Sequence, residues 1–203
     1  MRLGLLGPAL DQREALEKAA LGLRDVIGAE RVVYLGADSA LDDVVRTEAE
    51  RLVGPRADDV NLMARATATC LTAEPSEIDE FLRRERERLS LRMFESLPGT
   101  TTRSVELLGG KVAVMLYDKA NLVEDDILPA TLLVFGRSRE PLVKAVGRRW
   151  FLSPGTFPKH GIMLVEENDG VLSATVYDAD FTVRSTTLLE APRTLRMRAL
   201  GTG

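Results

Sequence analysis

The chain has 203 residues, 45% hydrophobic and 29% charged, which is enough to bury a core and is most simply one domain. A formal net charge of −4 argues against a nucleic-acid binder that relies on bulk positive charge, and no apolar run approaches the roughly 18–20 residues of a membrane span. The single cysteine, Cys70, excludes an internal disulfide and fits a reducing cytoplasm, and the single histidine, His160, is too few imidazoles for an ordinary dinuclear hydrolase site.

In chain order, residues 2–6 are apolar and run into Gly7-Pro8, predicting a strand and a break. Over 12–28, Ala15, Leu16, Ala19, Ala20, Leu23, Val26 and Ile27 recur at helical spacing, predicting an amphipathic helix stopped by Gly28. Residues 31–35 predict a short buried strand ending at Gly36, completing a parallel βαβ unit. Periodicity predicts helices over 41–53 and 57–71, on either side of Gly54-Pro55, with Cys70 as a small core residue. A third helix is predicted from Ser76 to Leu97, opened by a Ser76/Asp79 capping box, with Ile78, Leu82, Leu89, Met93 and Leu97 as its apolar stripe. Its other face sets Arg83, Arg84, Arg86, Arg88 and Arg92 against Glu80, Glu85, Glu87 and Glu95, which reads as a solvated, ion-paired face or else a partner-binding surface.

Residues 101–107 and 111–117 predict a β-hairpin across Gly109-Gly110, and 122–127 a short acidic turn in which Asp125 and Asp126 cap a helix. The run 132–135 predicts a buried strand ending at Gly136; a short polar turn leads to a second strand at 150–152 and to Ser153-Pro154-Gly155-Thr156. Runs at 161–165, 171–177 and 182–189 predict a closing antiparallel meander, and 191–203 is expected to be a flexible tail.

Polar side chains at the C-terminal end of a buried strand mark the place where ligands sit in α/β chains. Gly136-Arg137-Ser138-Arg139, followed by Ser153-Pro154-Gly155-Thr156, resembles the calcineurin-like metallophosphoesterase superfamily, in particular its compact bacterial and archaeal phosphodiesterases. Their pattern here is Gly-His-Thr-His and then Asn-Pro-Gly-Ser. The opening resembles them too: an apolar strand, the helix Arg13-Glu14-Ala15-Leu16-Glu17 beside their Leu-Glu-Ala-Leu, and a strand ending Gly36-Ala37 beside their Gly-Asp. The resemblance spans about residues 2–38 and 101–190. It implies an α/β fold, a two-layer β-sandwich flanked by helices (α/β/β/α), in a single domain over 1–190 with a helical insertion at about 40–97.

The resemblance also places the family's metal-ligand positions on Pro8, Leu10, Ala37, Tyr117, Arg137 and Arg139. Pro, Leu and Ala bind no metal, a tyrosine must first ionise, and arginine is itself a cation. The family's Gly-Asn-His or Gly-Asn-Cys-Asp element has no counterpart between Gly36 and Gly109. Two readings of the arginines stand side by side. In one, Arg137 and Arg139, with Ser138, Thr156 and Lys119, form a metal-free anion site for a phosphorylated ligand. In the other they pair with Asp11, Asp38 or Asp118 and fill the vacated hole as structural salt bridges. His160 is expected to be structural, in a turn.

The favoured function is a catalytically inactive cytoplasmic protein-interaction or regulatory module without a cofactor, a use for which the family has a precedent in a scaffold subunit of the retromer coat. Its expected partner is another protein, met through the helical insertion or the vacated site, or a phosphorylated small molecule; neither nucleic acid nor membrane is expected. The alternative is a phosphoesterase or phosphodiesterase with a non-standard site, for example one metal held by Asp11, Asp38 and Asp118.

Overall fold

The structure is a computed structural model that describes residues 1–97 and 99–190; Pro98 and the expected tail at 191–203 lie outside the described residues. Strand β1 (Arg2–Leu6) joins the start of the chain to its end, pairing parallel with β2 (Arg31–Tyr34) and antiparallel with β9 (Ile162–Asn168). Helix α1 (Arg13–Gly22) makes the crossover between β1 and β2 and runs on into a π-helical turn at Leu23–Ile27. Gly28, at φ 72°, ends it, as the sequence predicts. With β3 (Phe94–Ser96), β10 (Val171–Tyr177) and β11 (Val183–Leu188), the first sheet has the order β11-β10-β9-β1-β2-β3. The second sheet, β4-β5-β6-β8-β7, comprises β4 (Ser104–Leu108), β5 (Lys111–Leu116), β6 (Leu132–Phe135), β7 (Leu142–Val146) and β8 (Arg149–Ser153).

Alternation along the strands decides which side each residue faces. Leu3 and Leu5 point between the sheets, where they meet Val33, Met163 and Val165 of their own sheet and Met115, Leu132, Val134 and Leu152 of the other. Leu6, Val32, Tyr34 and Leu164 point to the opposite face, onto Leu16 and Leu23 of the first crossover and Leu41 and Val44 of helix α2 (Ala40–Val53). Two mixed sheets flanked by helices are therefore what the resemblance implied. Among the described residues no helix is long and apolar enough to cross a membrane.

The departures have local causes. Helix α3 (Leu62–Cys70) is shorter than predicted because Asp58 takes the Asn61 backbone and side-chain N–H groups at 2.8 Å, fixing a turn ahead of it; Cys70 is exposed rather than core. Helix α4 (Pro75–Ser90) starts one residue earlier than Ser76, with Glu77 accepting the Glu74 backbone N–H at 2.9 Å in place of the predicted Ser76/Asp79 box. It stops at Ser90, and what reads as its last turn is a 3-10 turn followed by β3, paired parallel with β2. The polar turn after Gly136 contains β7, an edge strand antiparallel to β8. The acidic turn is the short helix α5 (Glu124–Ile127), and Asp126 both accepts the Val123 N–H at 3.0 Å and pairs with Arg103.

The charged face of α4 is solvated at Glu80, Arg83, Arg84 and Glu87, as read, but not throughout. Glu85 and Arg88 are buried, with exposures of 4% and 7%. Glu85 lies between Arg65 Nε (2.7 Å) and Arg88 Nε (2.6 Å), and Arg88 reaches on to Asp59 at 2.9 Å. This network ties α3, α4 and the loop before α3 together. Burial pushes the Glu85 carboxyl up, but hydrogen bonds and charge from Arg65 and Arg88 outweigh it and leave it below the usual carboxylate range. Its stabilisation is thus complete above the unfolded value of 4.5 and is lost as pH falls through the lowered folded value. Glu85→Leu, which leaves the largely buried Arg65 without a carboxylate partner, is expected to cost about 3–5 kcal/mol in chemical denaturation at neutral pH, and Glu85→Leu with Arg65→Met to recover most of it. A double variant as unstable as the single one would contradict this.

Candidate functional site

Loops of the two sheets meet backbone to backbone where the parallel strands end. A Cβ on Gly136, just past β6, would lie 1.9 Å from the Leu35 carbonyl oxygen; one on Gly7, just past β1, would lie 1.8 Å from that of Gly155. Both clashes are with backbone, so glycine is required at both positions. The loops are then locked: Gly7 N–H donates to the Gly161 carbonyl (2.9 Å), Leu35 N–H to that of Leu6 (2.8 Å) and Arg137 N–H to that of Tyr117 (2.7 Å).

This convergence leaves a cavity of about 310 Å³ lined by Pro8, Leu10, Tyr117, Arg137, Ser138, Arg139 and Thr156. Five of the six positions assigned by resemblance to metal ligands therefore come together, with Ser138 and Thr156 beside them. The sixth, Ala37, is exposed and outside this cavity. Lys119 is not in its lining either; its ammonium sits 5.4 Å from the centre of the Phe135 ring, a cation–π placement.

The polar groups of the cavity are largely engaged with neighbouring protein groups. The Arg137 guanidinium pairs with Asp118. The Ala120 N–H and then Arg137 hold the Asp118 carboxyl below the usual carboxylate range. Ser138 Oγ donates to the Glu140 carbonyl at 2.7 Å, and Thr156 Oγ1 lies 3.5 Å from that of Arg139. Arg139 is exposed and forms no ion pair among the described residues. The salt-bridge reading thus describes Arg137, and the unpaired guanidinium that an anion site needs is Arg139.

A residue the sequence reading passed over ties the neighbouring loops. Tyr34 ends β2 with its side chain fully buried; its hydroxyl accepts the Ala9 N–H at 3.0 Å and donates to Asp38 Oδ1 at 2.8 Å. Burial, and then the Asp38 carboxylate, push the phenol far above its ordinary value, so it stays a neutral donor. Asp38 also accepts the Ala40 N–H at 3.1 Å, just ahead of α2. Asp38 and Asp11 line a separate cavity of about 330 Å³ with Arg13 and Asp43, and Asp118 is not in its lining. His160, half-buried, closes the loop behind Gly155. Its Nδ1 is buried without a hydrogen-bond partner, and burial together with Lys159 and Arg184 pushes its pKa down, favouring the neutral ring.

The metal centre that the fold family implies does not fit these residues. The positions that the resemblance assigns to its ligands hold apolar, phenolic and guanidinium side chains. Among the described residues no group of three or more His, Cys, Asp or Glu is placed to hold a metal ion. Tyr34 is expected to be the replacement tie between the two loops. Tyr34→Phe leaves the buried Ala9 N–H unpaired and is expected to cost about 1–3 kcal/mol by urea denaturation; a change within a few tenths would deny it that role.

No family model matches the sequence, and no curated protein does. Solved structures do resemble it. A conserved Streptococcus pneumoniae protein described as a predicted phosphoesterase is 12% identical with a TM-score of 0.51, over 93% of this chain and 97% of that one. A Thermotoga maritima protein solved by NMR is 15% identical with a TM-score of 0.50, over 87% and 98%. At such identities the likeness is one of fold: with two mixed sheets flanked by helices, the chain has a metallophosphoesterase-like α/β fold.

Proposed function

We propose that this chain uses the phosphoesterase fold for binding, as a protein-interaction or regulatory module, and does not carry out metal-dependent phosphoester hydrolysis at the strand ends. The observation that carries this reading is the Arg137–Asp118 ion pair, with Arg139 beside it, at positions where cations would have to lodge. Hydrolysis in this fold needs metal ions to deliver a hydroxide at neutral pH. Guanidinium groups repel those ions, and Asp118, the carboxylate nearest in sequence to the Tyr117 position, is already neutralised.

What such a cradle suits is an anion. Arg139 and the unused N–H groups of Arg137 offer fork-shaped donors to a phosphate or carboxylate, held against the apolar wall of Pro8, Leu10 and Tyr117. A protein partner presenting an acidic group, or a phosphorylated small molecule, matches that chemistry. The helices at about 40–97, inserted into one domain over 1–190, would give a protein partner a second surface. The cytoplasm is the compartment in which we place this activity.

Purified protein exchanged into manganese, zinc or ferrous iron should retain less than stoichiometric metal by elemental analysis and hydrolyse bis-p-nitrophenyl phosphate at the background rate. Stoichiometric metal, with turnover abolished by Asp38→Ala, would replace this reading with the enzyme one. Phosphate and nucleoside monophosphates should raise the melting temperature in a manner lost in Arg139→Ala; a flat response would remove the anion site from the proposal.

A further inference from the structure

A third cavity, of about 470 Å³, lies between α2 and the junction of α4 with β3. That volume falls within the roughly 300–1,000 Å³ of small-molecule pockets. Its apolar lining comes from Val45 and Ala49 on one side and Leu91 and Phe94 on the other. Arg88 contributes a wall. Its side chain is 7% exposed; Nε binds Glu85 (2.6 Å), Nη1 binds Asp59 (2.9 Å), and Nη2 is buried without a hydrogen-bond partner.

The lining charges are unequally used. Asp42 accepts the Ser96 hydroxyl at 2.7 Å, Asp58 the Asn61 N–H groups, and Asp59 both Arg88 and Arg92. Glu50 is the lining carboxylate left without such a bond among the described residues. Against it stand four sources of unused donors: Arg56, Arg88 Nη2 and the remaining nitrogens of Arg46 and Arg92. An apolar floor beneath surplus N–H donors is complementary to a ligand with an apolar body and an anionic, acceptor-only head.

We propose that this groove binds an amphipathic carboxylic acid, its body against Leu91 and Phe94 and its carboxylate on the arginines. Such a head group supplies the acceptor that Arg88 Nη2 lacks. Arg92, with 66% of its side chain exposed, shares Asp59 with Arg88, and binding requires it to turn aside so that the carboxylate reaches the buried Nη2. The proposal is independent of the reading of the strand-end cradle.

The test is a titration of the ¹⁵N-labelled full chain with 2-naphthoate and with the neutral 2-naphthamide, read by amide chemical shifts. Naphthoate is expected to give saturable shifts within 42–50 and 88–94, binding about tenfold more tightly than the amide, as for the loss of one charge-assisted hydrogen bond. Ala49→Phe, which fills the groove, should abolish those shifts. Arg56→Gln, at an exposed position that leaves the packing alone, should weaken naphthoate binding and spare that of naphthamide. No saturable shift, shifts confined to 136–139, equal affinity for acid and amide, or undiminished binding in both variants would each overturn the proposal.

Discussion

The tightest constraint in this molecule is backbone against backbone: Gly136 on the Leu35 carbonyl and Gly7 on the Gly155 carbonyl, where no Cβ can be inserted. Each contact sits at the C-terminal end of a central strand, so the two sheets close on one another at the point where their loops diverge. The sandwich interior, with Leu3, Leu5, Met115, Leu132, Val134 and Leu152 fully buried or nearly so, holds the sheets in that relation. Any ligand at the strand ends meets side chains from both sheets within a few ångströms of rigid backbone. The fold therefore brings loops of both sheets to one place whatever residues occupy it.

Those residues differ in kind from what metal catalysis needs. A dinuclear centre gathers neutral and anionic donors around cations, so that charge balances at the metal. Here the carboxylates meet protein groups. Arg137 answers Asp118 on the second sheet, and the Tyr34 hydroxyl answers Asp38 on the first. Each loop gains a contact from protein atoms. Arg139, exposed and without an ion pair among the described residues, is the group that the proposed anion site relies on.

Much of this was legible in the sequence, for physical reasons that can be named. The βαβ opening, the Gly109-Gly110 hairpin, the β6 run into Gly136 and the closing meander all carry strong local signals: β-branched or apolar runs bounded by glycine turns. The convergence of residues 8, 10, 117, 137 and 139 came from resemblance, since nothing in their spacing brings them together. What escaped was non-local. β3 is three residues long and is created by pairing with β2, so its residues read as the end of a helix. β7 has a partly exposed pattern and depends on its hairpin with β8. Glu85 and Arg88 look like any other pair on a charged helix until Arg65 and Asp59 arrive from elsewhere to bury them. Tyr34 reads as a core aromatic, because periodicity assigns a face to a side chain and says nothing of where its hydroxyl ends.

The central claim is that this cradle keeps its shape through its own side chains and has no seat for metal ions. It is tested most directly by crystals grown and soaked in manganese, with anomalous scattering recorded at a wavelength where manganese alone contributes strongly. The account predicts no anomalous peak between the β1, β2 and β6 strand ends, with Arg137 on Asp118 and Tyr34 on Asp38. Two strong peaks a few ångströms apart at that place would contradict it.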